Sequence, residues 1–394
     1  MEFIDLKSQY RRIEGGLRAR LDHLMGDARF VLGRETEELE GRLAEYVGAK
    51  HCLACSSGTD ALLMPLMMWG IGAGDAVFVP AFSFFATAEA VSLTGASPVF
   101  VDVEAGSFNM DVVRLGQAIG LVKAAGRLRP KAVISVDLFG LPARNIEIGR
   151  LAAEQGMFFL EDAAQGFGGM IGGKRACSFG DVSATSFFPA KPLGCYGDGG
   201  AVFTDSDEYA GMLRSIRVHG QGREKYHNVR LGLNARLDNM QAAVLLEKLD
   251  IFDGETERKN EIAGRYGELL GKALTAPAAE AGYRSSWAQY SLLAMDGAER
   301  DMLTGRLNAA GVPTAVYYRT PLHRQPVYGD GLLPSAVGGN LSVSEDICER
   351  IFSIPMHAYL SDADIGFIAE TAAASLNGTG HPCGPPRHMP RTSP

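Results

Sequence analysis

Between about residues 75 and 205 the chain alternates short apolar runs with amphipathic stretches, and no other feature restricts its fold as tightly. Ala76 to Val79, Pro98 to Val101, Ala132 to Val136, Met157 to Leu160, Val182 to Ser186 and Gly200 to Thr204 read as strands. Thr87 to Leu93, Met110 to Ala125 (begun by Asn109) and Asn145 to Glu154 read as the helices between them. Uninterrupted apolar strands separated by helices are buried on both faces, so the pattern predicts a mostly parallel sheet in an α/β fold. Sheets of this kind collect ligands outside the carboxyl ends of their strands.

After Asp238 the pattern changes. Met240 to about Gly271 has apolar residues at helical spacing, with Gly254 as a point where the helix could break. Residues 285–376 read as a smaller α+β unit, with strands Trp287 to Leu293 and Thr314 to Tyr318 and helices Arg300 to Ala310 and Asp362 to Leu376. The expected division is a large α/β domain with an N-terminal arm over 1–250 and a small α+β domain over 251–376. Residues 377–394, rich in Gly and Pro, are expected to be a disordered tail.

Composition narrows the function. With 38 Lys and Arg against 46 Asp and Glu, the net charge of -8 argues against a nucleic-acid partner. No uncharged apolar run reaches the roughly 18 residues of a membrane helix. The N-terminus is charged from Glu2 and has no apolar core of a secretory signal. Six Cys in 394 residues show no disulfide framework, so a reduced, cytoplasmic protein is expected. No metal is expected either: Cys52 and Cys55 lie in an apolar run that reads as a buried strand. Gly168 to Lys174 resembles a phosphate loop, but Arg175 stands where a Ser or Thr would bind Mg²⁺.

Three segments carry chemistry. Ser56-Ser57-Gly58-Thr59-Asp60-Ala61 joins an apolar run to an apolar helix, and small hydroxylated residues at a helix N-terminus suit a phosphate or serve as an ordinary cap. Glu161-Asp162-Ala163-Ala164-Gln165 follows a buried strand, where a carboxylate can face the ligand crevice or form a structural ion pair. Lys191 lies in an apolar, Gly-rich turn, Phe187 to Gly199, between two strands. Partial burial there lowers an amine's pKa and makes it a nucleophile. A phosphate cup, then an acid, then a lysine is the arrangement that pyridoxal phosphate (PLP) requires.

On those residues the chain resembles the DegT/StrS family of PLP-dependent sugar-nucleotide aminotransferases. The likeness spans about residues 1–375 and rests on Phe3-Ile4-Asp5-Leu6, Gly58 to Leu62, Glu161 to Gln165, Ser186 to Lys191 and Asn234 to Ala243. It implies an aspartate-aminotransferase-like fold (fold type I). It also implies that Lys191 carries PLP and moves the proton, and that Asp162 pairs with the ring nitrogen. Gly58, Thr59 and Ser186 would hold the phosphate, Phe84 would stack on the ring, and Gln165 would contact its hydroxyl side. Asn234 would reach the phosphate of a neighbouring subunit, giving a homodimer with shared sites.

Phe187 to Gly200 is most similar to the branch that aminates C3 of a UDP-linked 2-acetamido-2-deoxy-3-keto-glucuronic acid for lipopolysaccharide or O-antigen synthesis. Glutamate is the expected amino donor. His219, Arg223, Arg236 and Arg319 are the candidate cations for such a substrate, with Arg236 for the sugar carboxylate and Tyr317 and Tyr318 beside it. Arg319 stands where the family usually has Pro, so a surface position is equally open. Three other readings stay open. One is amination of another 3- or 4-keto hexose. Another is a dehydratase, against which Lys191 argues because those relatives carry His there. The last is a non-catalytic sensor of PLP or a sugar nucleotide.

Overall fold

A computed structural model describes residues 1–271, 274–276, 279–329 and 335–376. The expected tail, 377–394, lies outside them. The N-terminal half holds α1 (Leu6–Asp27), α2 (Arg34–Val47), β1 (His51–Cys55), α3 (Gly58–Met68), β2 (Asp75–Pro80), α4 (Ala86–Leu93), β3 (Ser97–Val101), α5 (Val112–Ala125), β4 (Arg129–Val136), α6 (Asn145–Glu154) and β5 (Phe158–Asp162). There follow β6 (Met170–Ile171), β7 (Lys174–Arg175), β8 (Val182–Ser186), β9 (Gly200–Thr204), α7 (Asp207–Ile216) and α8 (Asn239–Leu270). The rest comprises β10 (Tyr283–Arg284), β11 (Tyr290–Leu293), α9 (Gly297–Ala309), α10 (Pro326–Gly329), β12 (Ala336–Val337), α11 (Ser342–Arg350), β13 (Ile351–Ile354) and α12 (Asp362–Leu376).

The main sheet has the order β1-β9-β8-β5-β4-β2-β3-β12, and β9 alone runs against its neighbours. The strands are buried along nearly their whole length, as their apolar runs require, with α3, α4 and α7 on one face. Helices α5 and α6 cover β2 to β5 on the other, and α2 and α8 cover β1 and β9. This is the mostly parallel α/β sheet of fold type I. The carboxyl ends of β5 and β8 stand side by side, because Asp162 is register partner to Ala184. A smaller core joins the antiparallel pair β11–β13 to α9, α12 and the second half of α8.

Several local expectations change. Helix α5 starts at Val112, capped by Asp111, whose Oδ1 accepts from Val113 N–H at 2.7 Å. Asn109 instead is buried and ties Leu138 N–H (2.9 Å) to Leu141 O (2.8 Å). Helix α8 runs through Gly254 without a break. A mid-helix Gly costs only about 1 kcal/mol, and α8 packs into the cores on both sides. The strand expected from Trp287 begins at Tyr290, since Trp287 has a left-handed φ of 49°. Thr314 to Tyr318 is not a strand: it makes one bridge, Ala315 to Ser353, and then leaves the sheet edge. The N-terminal helices α1 and α2 escaped the sequence pattern, their exposed faces being densely charged.

Candidate active site

The geometry gathers around the ends of β5 and β8. Asp162 is the last residue of β5 and is buried. Its Oδ2 accepts the Thr87 hydroxyl at 2.8 Å and its Oδ1 accepts Ala164 N–H at 3.1 Å. Burial pushes its carboxyl above the usual range, while Thr87, Ala164 and the charge of Lys191 pull it back. Lys191 is half-buried in the turn between β8 and β9. That turn is pinned by Phe187 N–H to Gly199 O at 2.7 Å and Cys195 N–H to Phe187 O at 2.8 Å. Desolvation lowers the Lys191 pKa and attraction to Asp162 opposes the fall. The result is an amine with a reachable neutral form, facing a carboxylate.

Phe84 is half exposed, and its ring centroid lies 6.0 Å from Lys191 Nζ and 6.1 Å from the Tyr318 ring. Gln165 is buried, fixed by Phe139 N–H to its Oε1 at 2.9 Å, and its Nε2 reaches the Tyr318 hydroxyl at 3.4 Å. At the start of α3, Ser57 caps Asp60 N–H at 3.1 Å. The amides of Gly58 and Thr59, at the first turn, have no acceptor among the described residues and can serve an external one. A Cβ on Gly58 would stand 2.6 Å from Ser186 Cβ, so glycine is required where α3 meets the end of β8. Open helix amides, an adjacent Ser186, an acid and an uncharged-capable lysine make a donor set that fits PLP.

Other expected residues lie elsewhere. Residues 217–235 form a hairpin, with bridges Val218 to Asn234 and Gln221 to Asn228. Asn234, His219 and Arg223 are exposed on it; Asn228 Nδ2 donates to His219 O at 2.7 Å within the hairpin, and Arg217 at its base donates to Ala54 O at 2.8 Å. Tyr226 and Leu231 of this hairpin are 85% and 87% exposed, which is unusual for apolar side chains without a partner surface. Arg236 is half-buried and makes no ion pair among the described residues. Tyr317 packs edge-on against Phe3 at 6.4 Å, next to Tyr318. Arg319 is exposed and faces Asp301 on α9 at 3.5 Å, which is the surface position that the sequence left open.

Two features were missed. Thr87, the hydroxyl on Asp162, lies four residues after Ser83, and the two hydroxyls are 3.1 Å apart. Beside the Lys191 turn is also a cavity of about 50 Å³, closed by Asp5 and Gln9 of the N-terminal arm, Glu255 and Lys259 of α8, and His357. Gln9 Nε2 donates to Glu255 Oε2 at 2.8 Å and the Tyr359 hydroxyl donates to Glu255 Oε1. No sequence signal joins residues so far apart in the chain.

Comparison with known proteins shows the family. The chain is 44% identical over 369 residues to UDP-2-acetamido-2-deoxy-3-oxo-D-glucuronate aminotransferase of Pseudomonas aeruginosa, covering 93% of this chain and 98% of that one. It is 37% identical over 376 residues to UDP-N-acetyl-3-dehydro-alpha-D-glucosamine 3-aminotransferase of Acidithiobacillus ferrooxidans, covering 95% and 98%. The crystal structure of a DegT DnrJ EryC1 StrS aminotransferase from Brucella abortus superposes with a TM-score of 0.92 at 50% identity, covering 95% and 99%. Residues 12–372 match the model of the DegT/DnrJ/EryC1/StrS aminotransferase family, and the chain belongs to that family of PLP-dependent aminotransferases.

Proposed function

We propose that this enzyme moves an amino group from glutamate to C3 of UDP-2-acetamido-2-deoxy-3-keto-glucuronic acid, within lipopolysaccharide or O-antigen synthesis. The observation that carries the reading is the placing of buried Asp162 at the end of β5, next to β8 and the turn after it that holds Lys191, in a chain 44% identical to an enzyme named for that substrate. When bound, PLP supplies an electron sink for the bond-breaking at the amino carbon. Asp162 would set a negative charge against the ring nitrogen. Lys191, with its depressed pKa, would take and return the proton at the amino carbon. Phe84 would cover the ring, Gln165, whose Nε2 reaches the Tyr318 hydroxyl, would meet its hydroxyl edge, and Gly58, Thr59 and Ser186 would hold the phosphate.

The hairpin carrying Asn234 is proposed to complete the site of a second copy, so the active unit is a homodimer. Its exposed Tyr226 and Leu231 support that reading. Arg236, free of any ion pair among the described residues, is the group proposed to meet the sugar carboxylate. The test is a panel of 3-keto and 4-keto sugar nucleotides with glutamate, read by mass spectrometry. Amination of the 3-keto uronic acid in preference to the rest is expected. Preference for a neutral 6-deoxy sugar would overturn the substrate, while leaving the aminotransferase chemistry standing.

A further inference from the structure

Two carboxyl groups behind Asp162 have no part in the site described so far. Asp137 follows β4 and Glu161 precedes Asp162 in β5, and both are 0% exposed. Glu161 is well supplied with donors. Its Oε1 accepts Cys177 N–H at 2.9 Å and Asn145 Nδ2 at 3.5 Å. Its Oε2 accepts Phe179 N–H at 2.9 Å and the Ser183 hydroxyl at 2.7 Å. Asp137 is supplied on one oxygen only: Oδ1 accepts Ala143 N–H and Asn145 Nδ2, each at 2.9 Å. Its Oδ2 is buried and has no donor among the described residues.

Water does not reach that oxygen from the Gly166 side, where a Cβ would stand only 2.4 Å from it. A buried ionised carboxylate with an unserved oxygen carries a large desolvation cost. A carboxylic acid does not, because the oxygen becomes a donor and needs an acceptor instead. An acceptor is near, since Asn145 Nδ2 bridges Asp137 Oδ1 at 2.9 Å and Glu161 Oε1 at 3.5 Å and so holds the two carboxyl groups together. Burial and the neighbouring Glu161 charge both push Asp137 well upward; burial raises Glu161 too, but the donors from Ser183, Phe179 and Cys177 oppose that rise. The other titratable group facing the pair is Cys177, whose thiol burial keeps neutral.

We propose that Asp137 keeps its proton at neutral pH, donates it to Glu161, and in that form acts as a positioning residue for Asp162. The connection is direct. Asp137 N–H donates to Asp162 O at 3.0 Å, and Val136 is the register partner of Asp162. Two ionised acids held side by side would repel each other at the ends of β4 and β5, the strands whose register sets Asp162. With one proton held between Asp137 and Glu161, those strand ends stay together and keep Asp162 in place. The positioning role rests on the proposed use of Asp162, but the proton can be observed without PLP.

Asp137→Asn keeps the shape and puts an N–H where the proton was. Infrared spectra of wild type at neutral pH should contain a buried protonated-carboxyl band that shifts with ¹³C-aspartate labelling, with or without PLP. Asp137→Asn should lack it. Denaturant unfolding gives a second readout. An acid with a raised folded pKa keeps a proton that the unfolded chain loses, so stability falls as pH rises above its ordinary value. The wild-type unfolding constant should therefore climb, relative to Asp137→Asn, by up to about tenfold per pH unit from about pH 4 upward. No labelled band, or parallel pH curves, would overturn the shared proton. The PLP absorbance of Asp137→Asn should follow the wild-type pH profile, while Asp137→Ala should displace it. A displacement of about half a pH unit or more in Asp137→Asn would mean that Asp137 acts as a charge, not a neutral acid.

Discussion

Thr87 donates its hydroxyl to Asp162 Oδ2 across 2.8 Å, and since that hydroxyl has one proton, Ser83 must be the donor in its own 3.1 Å contact with Thr87. The carboxylate thus ends a directed chain of hydroxyls that starts at the mouth of α4. Burial works against its charge and this chain works for it. Thr87→Val removes the donor at nearly constant volume. A hydrogen bond to a charged group is worth about 1.5–3 kcal/mol, so the glutamate half-reaction should slow by about tenfold or more. Rapid-mixing absorbance at the PLP band measures this. An unchanged rate would mean that Thr87 does not set the charge of Asp162.

Lys259 gives a prediction about stability. It is buried beside the Lys191 turn, and desolvation lowers its pKa to about 8 from 10.5 despite the attraction of Glu255. Between those values the unfolded chain binds a proton that the folded chain does not. Stability due to this group therefore rises with pH across that window, by up to about 1.4 kcal/mol per unit. Lys259→Met should match or exceed wild type at pH 7, because a buried ammonium without a close partner is costly. Its advantage should shrink as pH is raised through 8 toward 10. Lys248, also near 8, titrates in both proteins and cancels from the comparison. Denaturant midpoints over this range measure the effect, and a gap that stays constant with pH would contradict it.

Where chemistry lay in continuous segments, the sequence was readable. The run Met157 to Leu160 is apolar up to Glu161-Asp162, and Lys191 stands in an apolar, Gly-rich turn, so the end of β5 and that turn could be located from residue type alone. Thr87 was not readable as a partner of Asp162, because the contact depends on how α4 seats against β5. Arg319 was open between a site contact and the surface, and only the position of Asp301 on α9 decides it. Trp287 was placed in a strand on propensity, but Ser286 N–H bonds to Gly140 O at 2.9 Å and turns the backbone away. Long-range packing overrode local preference in each of these places.

The shared-site proposal makes a complementation prediction. Asn234 is exposed on its hairpin, where its backbone bridges Val218. Lys191→Ala alone should be inactive, and Asn234→Ala alone should bind PLP weakly. If each site takes Lys191 from one copy and Asn234 from the other, a hybrid of the two variants has one intact site. Purified heterodimers should then recover up to about half of the wild-type activity, since one of the two sites is intact. A verified heterodimer with no recovery would place both residues on the same chain's site.

The last prediction concerns the sugar carboxylate. The protein is net acidic, with a charge of -8, yet the proposed substrate is an anion through both its diphosphate and its uronic acid. A local cation must therefore be set aside for it. His219 and Arg223 are exposed on the hairpin, and Arg319 is engaged by Asp301, whereas Arg236 is half-buried with its guanidinium unpaired among the described residues. A planar guanidinium can meet a carboxylate with two parallel hydrogen bonds, which an ammonium cannot do. Arg236→Ala should lower kcat/KM for the 3-keto uronic acid by about 2–5 kcal/mol in transition-state free energy, as loss of one member of a buried charge pair does. Arg236→Lys should recover only part, because the charge returns without the fork. With a 3-keto sugar that lacks the carboxylate, the same variants should lose much less. Steady-state kinetics on the two substrates distinguishes the cases, and equal losses on both would assign Arg236 to the diphosphate or the cofactor and remove the argument for a uronic acid.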